Sequence, residues 1–400
     1  MTIFWLAGAL VFMLAGLWPF GPYQLTLEIA RRFRRFPPAP AAPGDAPEDA
    51  GRRRKPSSYA VCLCAYNEAA GIRAKIEDLM GLREAFGGAL DIHVYVDGAE
   101  DGTADVLREY EDRIDLLVST ERRGKTHGMN LLVARATADI LLFTDATVMI
   151  GRNAREVLER CFADPAIGCV CSDLTYVNAD SSATASIGAA YWRFNEWSKG
   201  LETATGSVLG ADGSLFAIRR TAHRPVPDGL IDDLHVSLSI LCDGWRVIRA
   251  ADLRSFEPHT TEESDEFRRK IRIACECMHV HFRLWPRLAR LDLWHLYKYV
   301  AHRLLRWLGG YALLLSAICW FGVLASLIGF APSLALACLA LPMGILAVRH
   351  RIGGADRIWN AVLAFAGTSI GVWRAFRGER AVTWNVAASA RRQTLAEPVS

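Results

Sequence analysis

Residues 140–147 read Ile-Leu-Leu-Phe-Thr-Asp-Ala-Thr: an apolar run with strand character that stops abruptly on the carboxylate of Asp145. A buried strand that ends on an acid fits the edge of an α/β sheet, where ligands collect beyond the carboxyl ends of the strands. The run is one of several. Strand patterns at 59–65, 91–96, 115–118, 139–144 and 168–172 alternate with helical patterns at 69–85, 102–112, 125–137 and 152–162. Alternation of this kind specifies an α/β domain with a mostly parallel sheet over residues 57–285. No G-x-G-x-x-G follows the first strand, which argues against a dinucleotide-binding oxidoreductase.

Asp145 lies between a second strand-end acid, Asp97, and an acidic pair, Asp232-Asp233. The chain's 400 residues are 52% hydrophobic, and the apolar excess sits at the two ends. Three acidic positions in that order, in a chain flanked by apolar segments, point to a sugar-nucleotide enzyme. The net charge of +3 gives no sign of a nucleic-acid partner. Ten cysteines occur, some in pairs one residue apart (Cys62/Cys64, Cys169/Cys171, Cys275/Cys277), a spacing that does not match a zinc ribbon or finger. They read as buried, reduced thiols packing as small hydrophobes.

The apolar start, residues 1–30, reads as a retained membrane anchor. Its densest run, 3–18, is short of the roughly 20 residues a span needs, but it extends towards Leu27, with Trp18 and Tyr23 suited to an interface. A cleaved signal peptide is the rival reading; no basic n-region precedes the run and no clear small-x-small site follows it. Residues 31–56 form a basic and Pro-rich linker carrying Arg31, Arg32, Arg34, Arg35, Arg52, Arg53, Arg54 and Lys55, with a flexible stretch at 37–50. By the positive-inside rule this flank is cytoplasmic. Residues 286–307 have the mixed character of an amphipathic interface helix. Two apolar runs, 308–330 and 332–348, make a transmembrane hairpin within 308–348, ending at Arg349-His350-Arg351. Residues 349–400 hold a third, glycine-broken run at 358–373 and a basic tail with Arg374, Arg377, Arg380, Arg391 and Arg392. The charge rule favours a re-entrant or interfacial placement for that run.

The core motifs are Tyr66-Asn67-Glu68 after the first strand, Asp97-Gly98-Ala99-Glu100-Asp101-Gly102-Thr103 after the second, Arg123-Gly124-Lys125-Thr126-His127-Gly128-Met129-Asn130, Asp145-Ala146-Thr147, Gly210-Ala211-Asp212-Gly213-Ser214, and Ile231-Asp232-Asp233-Leu234. In their order and spacing they resemble the family 2 glycosyltransferases. The similarity is greatest to the membrane-bound branch that includes cellulose, chitin-oligosaccharide and poly-N-acetylglucosamine synthases. The resemblance implies a GT-A fold, a Rossmann-like α/β domain on the cytoplasmic side with transmembrane or interfacial helices at both ends.

The resemblance also implies roles. Tyr66, Asn67, Glu68 and Asp97 match the nucleotide pocket, and Lys125 opens the G-K-x-x-x-x-N element, where a cation at a helix start meets uracil or phosphate. Asp145 and Thr147 occupy the D-x-D metal site for Mg2+ or Mn2+, with Thr147 in place of the second Asp, so that Asp145 carries more of the load. Asp212 and Asp232 fall on the acceptor side, where the aromatic face of Trp192 suits a sugar ring. At helical spacing, Trp192 and its neighbours Tyr191, Phe194 and Trp197 equally suit a core. Asp233 matches the general base of the T/S-E-D motif.

Where processive relatives carry Q-x-x-R-W this chain has Arg269, Arg272 and Ile273. The retained cation suits the donor diphosphate; the lost Trp favours addition of one or a few sugars. The expected reaction is inverting transfer from a UDP-sugar to a polyprenyl-diphosphate-linked saccharide or growing glycan at a lipid surface, in exopolysaccharide or cell-surface glycan synthesis. Other polysaccharide-assembly subunits are possible partners. The alternatives are a processive synthase that extrudes its polymer and a noncatalytic UDP-sugar-binding scaffold.

Overall fold

A computed structural model describes residues 1–33, 36, 56–178, 183–258, 262–350 and 355–380. The basic residues Arg34, Arg35, Arg52, Arg53, Arg54 and Lys55, the linker stretch 37–50, Arg351 and the tail with Arg391 and Arg392 lie outside the described residues. The chain divides into two compact units.

One unit comprises residues 27–265 and 279–296 among those described. It is built on an eight-stranded sheet of order β3-β2-β1-β4-β7-β6-β8-β5, in which β1 is Tyr59–Ala65, β2 Leu90–Asp97, β3 Asp115–Ser119, β4 Ile140–Thr144, β5 Met149–Ile150, β6 Ile167–Tyr176, β7 Leu215–Arg219 and β8 Arg246–Glu257. The first four strands are parallel neighbours: Tyr59 sits opposite Leu90 and Ile140, and His93 opposite Asp115. All seven residues of β1 and all five of β4 are buried. That explains their unbroken apolar sequence, because a parallel strand is covered on both faces. The crossovers are α3 (Ile72–Ala85), α4 (Thr103–Arg108) and α5 (Lys125–Arg135). They bury Ile76, Leu79, Leu82, Leu107 and Leu132. In the second half of the sheet β7 runs antiparallel to β4 and β6, while β6 and β8 are parallel. Parallel β1, β2 and β4 therefore deliver Ala65, Asp97 and Thr144 to one edge of the sheet.

β5 and β8 had no counterpart among the expected strands, and β6 extends beyond 168–172 to Tyr176. Helix 102–112 contracts to Thr103–Arg108, because Tyr110, Glu111 and Arg113 donate their N–H groups three residues back and the chain tightens into turns. Residues 286–307 do not form one helix. A long helix α9 (Glu263–Leu288) ends first, and α10 (Leu293–Lys298) starts afresh after Asp292, whose Oδ1 accepts the N–H groups of Trp294 at 3.0 Å and His295 at 3.2 Å. A short π-helical stretch, Tyr299–Leu304, leads into α11 (Leu305–Ile328).

The other unit comprises residues 1–26, 266–278 and 297–380. It contains α1 (Thr2–Leu17), α11, α12 (Phe330–Arg349) and α13 (Ala355–Phe376). α1 packs on α11 through small residues. A Cβ on Gly8 would meet Cys319 Sγ at 3.0 Å, one on Gly16 would meet Leu313 at 2.8 Å, and one on Gly322 would meet Trp5 at 2.5 Å. Backbones approach this closely when association relies on packing rather than on expelling water, as between helices in lipid. Two stretches, Thr2–Phe20 and Leu293–Ile328, are helices long and apolar enough to cross a membrane. The apolar part of α12, Phe330–Gly344, is shorter. The third apolar run, 358–373, lies within one helix, α13. Its Gly367 and Gly371 admit Phe267 and the Ile271 carbonyl, so these glycines serve close packing.

The sheet unit is also closely packed at α5. A Cβ on Gly128 would lie 2.1 Å from the Tyr95 ring, which is buried on β2. Gly128→Ala is expected to destabilise the chain by about 1–3 kcal/mol through overpacking. A lowered thermal unfolding midpoint would show this, and an unchanged one would contradict the packing described.

Candidate active site

The site begins with the loop that opens α5. Asp97, fully buried at the end of β2, accepts the N–H of Arg123 on Oδ1 at 2.7 Å and the N–H of Gly124 on Oδ2 at 2.9 Å. The carboxylate thus fixes the turn that launches Lys125. Within α5, Asn130 donates to the Val226 carbonyl at 2.7 Å and accepts the Val226 N–H at 3.0 Å, while the Thr126 hydroxyl donates to the Leu230 carbonyl at 2.6 Å. These bonds fasten the segment that enters α8 (Asp232–Cys242). One helix therefore places both the Lys125 cation and the Asp232-Asp233 pair.

Lys125 Nζ donates to Asp145 Oδ1 at 2.8 Å and lies 3.6 Å from Asp232 Oδ2. Gly213 marks the centre of the group: a Cβ there would be 3.1 Å from Asp233 Oδ2 and 3.6 Å from both Asp145 Oδ2 and Lys125 Nζ. Four of the expected residues, Lys125, Asp145, Asp232 and Asp233, are thereby brought together, with Asp212 one residue from the centre. Burial alone would pull the Lys125 ammonium down, but Asp145, Asp232 and Asp233 outweigh it and hold it above its usual value. Burial, reinforced by the charge of Asp232, pushes the Asp233 carboxyl up to about 8 against the opposing pull of Lys125. A carboxylate so raised is a far stronger base than an exposed one.

The Gly210–Ser214 loop is held from two sides. The Ala211 N–H donates to Ser237 Oγ at 2.8 Å, and that hydroxyl donates to the Asp233 carbonyl at 2.6 Å. Asp212 accepts from the Ser214 hydroxyl at 2.5 Å and from Lys199 Nζ at 2.5 Å. Lys199 belongs to α7 (Ala183–Ala204) and is 1% exposed; it also pairs with Glu196 at 2.5 Å, and Glu196 in turn pairs with Arg249 at 2.6 Å. Asp212 is therefore anchored by a buried ionic chain that the sequence reading did not anticipate. Trp192, on the same helix, packs its ring on Tyr176 at 5.8 Å and lies 5.5 Å from Lys199 Nζ.

The remaining expected residues lie around this centre or apart from it. Tyr66 receives the Arg122 guanidinium over its ring at 3.7 Å. Asn67 takes a left-handed φ of 52°, tolerated by Asn, and its side-chain Oδ1 accepts the Glu100 N–H at 2.8 Å. Glu68 is buried, and its N–H donates to Thr103 Oγ1 at 2.8 Å. The Thr147 hydroxyl donates to Glu257 Oε1 at 3.1 Å. Arg269 and Arg272 belong to the other unit, where each pairs with a glutamate of its own helix, Glu266 at 3.3 Å and Glu276 at 3.0 Å.

A hard divalent cation fits the oxygen donors at the end of β4. Asp145 bonds Lys125 through Oδ1, its Oδ2 is turned towards Gly213, and its side chain is 41% exposed. Among the described residues no three His, Cys, Asp or Glu side chains enclose a metal by themselves. Mg2+ and Mn2+ sites that rely on one or two carboxylates and substrate phosphates need no such cage. All ten cysteines are free thiols.

The buried ionic chain generates a prediction. Lys199→Met leaves Asp212 and Glu196 without their shared cation and should cost about 3–5 kcal/mol of stability. Adding Asp212→Asn should recover part of that loss in urea unfolding; strictly additive effects would contradict the coupling.

Comparison with known proteins agrees with this architecture. The mannosyltransferase PcManGT from Pyrobaculum calidifontis, solved in complex with GDP-Man and Mn2+, superposes with a TM-score of 0.65 over 93% of this chain and 99% of its own, at 21% identity. The fold is therefore GT-A-like. An N-acetylglucosaminyltransferase of Rhizobium sp. (strain N33) is 24% identical over 208 residues, 47% of this chain. The match spans about half of that relative's length, 46%. The model of the family described as glycosyltransferase like family 2 matches residues 56–276, the strands, the Lys125 helix and the acidic pair included. This chain belongs to glycosyltransferase family 2.

Proposed function

We propose that this chain is an inverting glycosyltransferase that moves a sugar from a UDP-sugar to a lipid-linked or oligosaccharide acceptor at the cytoplasmic membrane face, in exopolysaccharide or cell-surface glycan synthesis. The observation that carries the reading is the convergence on Gly213 of a cation, a strand-end carboxylate and a buried carboxylate of raised pKa. Lys125 would meet the donor diphosphate, its charge adding to the amide dipoles at the start of α5. Asp145, with Thr147, would hold Mg2+ or Mn2+. When bound, the cation offsets the negative charge that grows on the departing UDP.

Asp233 takes the proton of the acceptor hydroxyl as that oxygen attacks the anomeric carbon, and Asp232 keeps the base's proton affinity high. Asp232 and Asp233 are sequence neighbours in one helical turn, so they do not flank a glycosidic bond as a hydrolase's two acids do. Tyr66, Asn67, Glu68 and Asp97 shape the nucleotide side: Asp97 and the Tyr66–Arg122 stack hold the walls on which a base would rest. The name of the Rhizobium relative favours an N-acetylhexosamine donor, and the Pyrobaculum enzyme's GDP-Man and Mn2+ support a nucleotide-sugar and divalent-metal pairing in this fold. Two helical stretches long and apolar enough to cross a membrane, Thr2–Phe20 and Leu293–Ile328, favour attachment of the chain to a membrane.

Asp233→Asn should abolish transfer while leaving UDP affinity nearly unchanged, as read by UDP release and equilibrium binding. Transfer by the Asn variant would overturn the base assignment. The pH dependence has a definite sign. Only ionised Asp233 accepts a proton, so kcat/KM should rise with pH through a limb set by its raised pKa, near 8. Asp232→Asn removes the like charge and should move that limb to lower pH; an unmoved limb would contradict the electrostatic account.

A further inference from the structure

The second carboxylate of D-x-D is absent from its usual position, where Thr147 stands. The Thr147 hydroxyl nevertheless faces a carboxylate: it donates to Glu257 Oε1 at 3.1 Å, across 110 residues of chain. Backbone pairing fixes this meeting. Immediately after Asp145-Ala146-Thr147, β5 pairs with the end of β8, Met149 opposite Phe256 and Ile150 opposite Ser255. On its other side the end of β8 pairs with β6, Tyr176 opposite Glu257, and the Val177 N–H donates to the Glu257 carbonyl at 3.1 Å. Glu257, the last residue of β8, is thus held against β6, next to the residues that pair with β5 just after the metal-site turn.

A buried cation lies beneath the same turn. Lys75, 1% exposed, donates to the Val148 carbonyl and to Thr144 Oγ1, so its ammonium lies directly under the same turn. Burial draws Lys75 down to about 8 against the upward pull of Asp78, Asp145 and Glu257. Asp145 and Glu257 therefore both act on one buried cation.

We infer that Glu257 supplies the metal-binding carboxylate that Thr147 lacks, so that Asp145 and Glu257 hold the divalent cation with the Thr147 hydroxyl orienting Glu257. The inference rests on the sugar-transfer reading above. Two carboxylates restore the charge of an intact D-x-D, and a hard cation accepts such oxygens from separate strands as readily as from one turn. The hydroxyl acts on Glu257 as outer groups act on metal-binding carboxylates, fixing the orientation of the ligand.

The test is Mn2+ binding to the full chain with UDP present, read from the electron paramagnetic resonance signal of free Mn2+, alongside UDP binding in EDTA. Glu257→Gln keeps an acceptor for the Thr147 hydroxyl, so the local fold is preserved. It should weaken Mn2+ about tenfold or more while metal-free UDP binding is unchanged. Thr147→Asp added to Glu257→Gln returns a carboxylate to the motif and should recover most of the lost affinity. Mn2+ affinity unchanged in Glu257→Gln but lost in Asp145→Asn would overturn the role of Glu257 and leave the proposed function standing. Failure of the unaltered chain to bind Mn2+ with UDP would overturn the metal-assisted reading and this inference together.

Discussion

The site depends on the charge balance around Lys125. Its ammonium lies among Asp145, Asp232 and Asp233 in a largely buried setting. Carboxylates grouped this tightly repel one another, and burial removes the water that would screen them. The cation offsets that repulsion enough for the group to persist, yet leaves Asp233 with a raised proton affinity. On the proposed function, the positive group that meets the diphosphate and the base that takes the hydroxyl proton come from one arrangement.

The rest of the sheet unit places Lys125 and its acids. Asp97 fixes the Arg123–Gly124 turn, Asn130 and Thr126 fasten the approach to α8, and Ser237 joins α8 to the Gly213 loop. Behind that loop the Lys199 chain of ion pairs fixes Asp212. Breaking such a buried chain is costly because it strands a charge. In physical terms, several residues that resemble ligand contacts in sequence also serve as structural anchors here, Asp97 most clearly.

The parallel half of the fold was legible because β1, β2 and β4 are buried apolar runs and their ends are acidic or turn-forming. The family motifs then located Lys125, Asp145 and Asp233. Other features left little signal. β5 is two residues long, and β8 interleaves arginines and aspartate with its apolar residues, so neither shows as an apolar run. Glu196 and Lys199 are spaced as a helical ion pair, but nothing local shows that Asp212 and Arg249 join them. The Thr147–Glu257 contact depends on strand pairing between distant segments, which no local pattern encodes.

The stereochemistry of the product tests the central claim most directly. A single buried base and direct attack by the acceptor require inversion at the anomeric carbon. The anomeric proton coupling, read by NMR on product made from a UDP-α-sugar of gluco configuration, should show a β linkage. An α linkage would mean that configuration is retained, which a single in-line displacement cannot give, and would contradict the role given to Asp233.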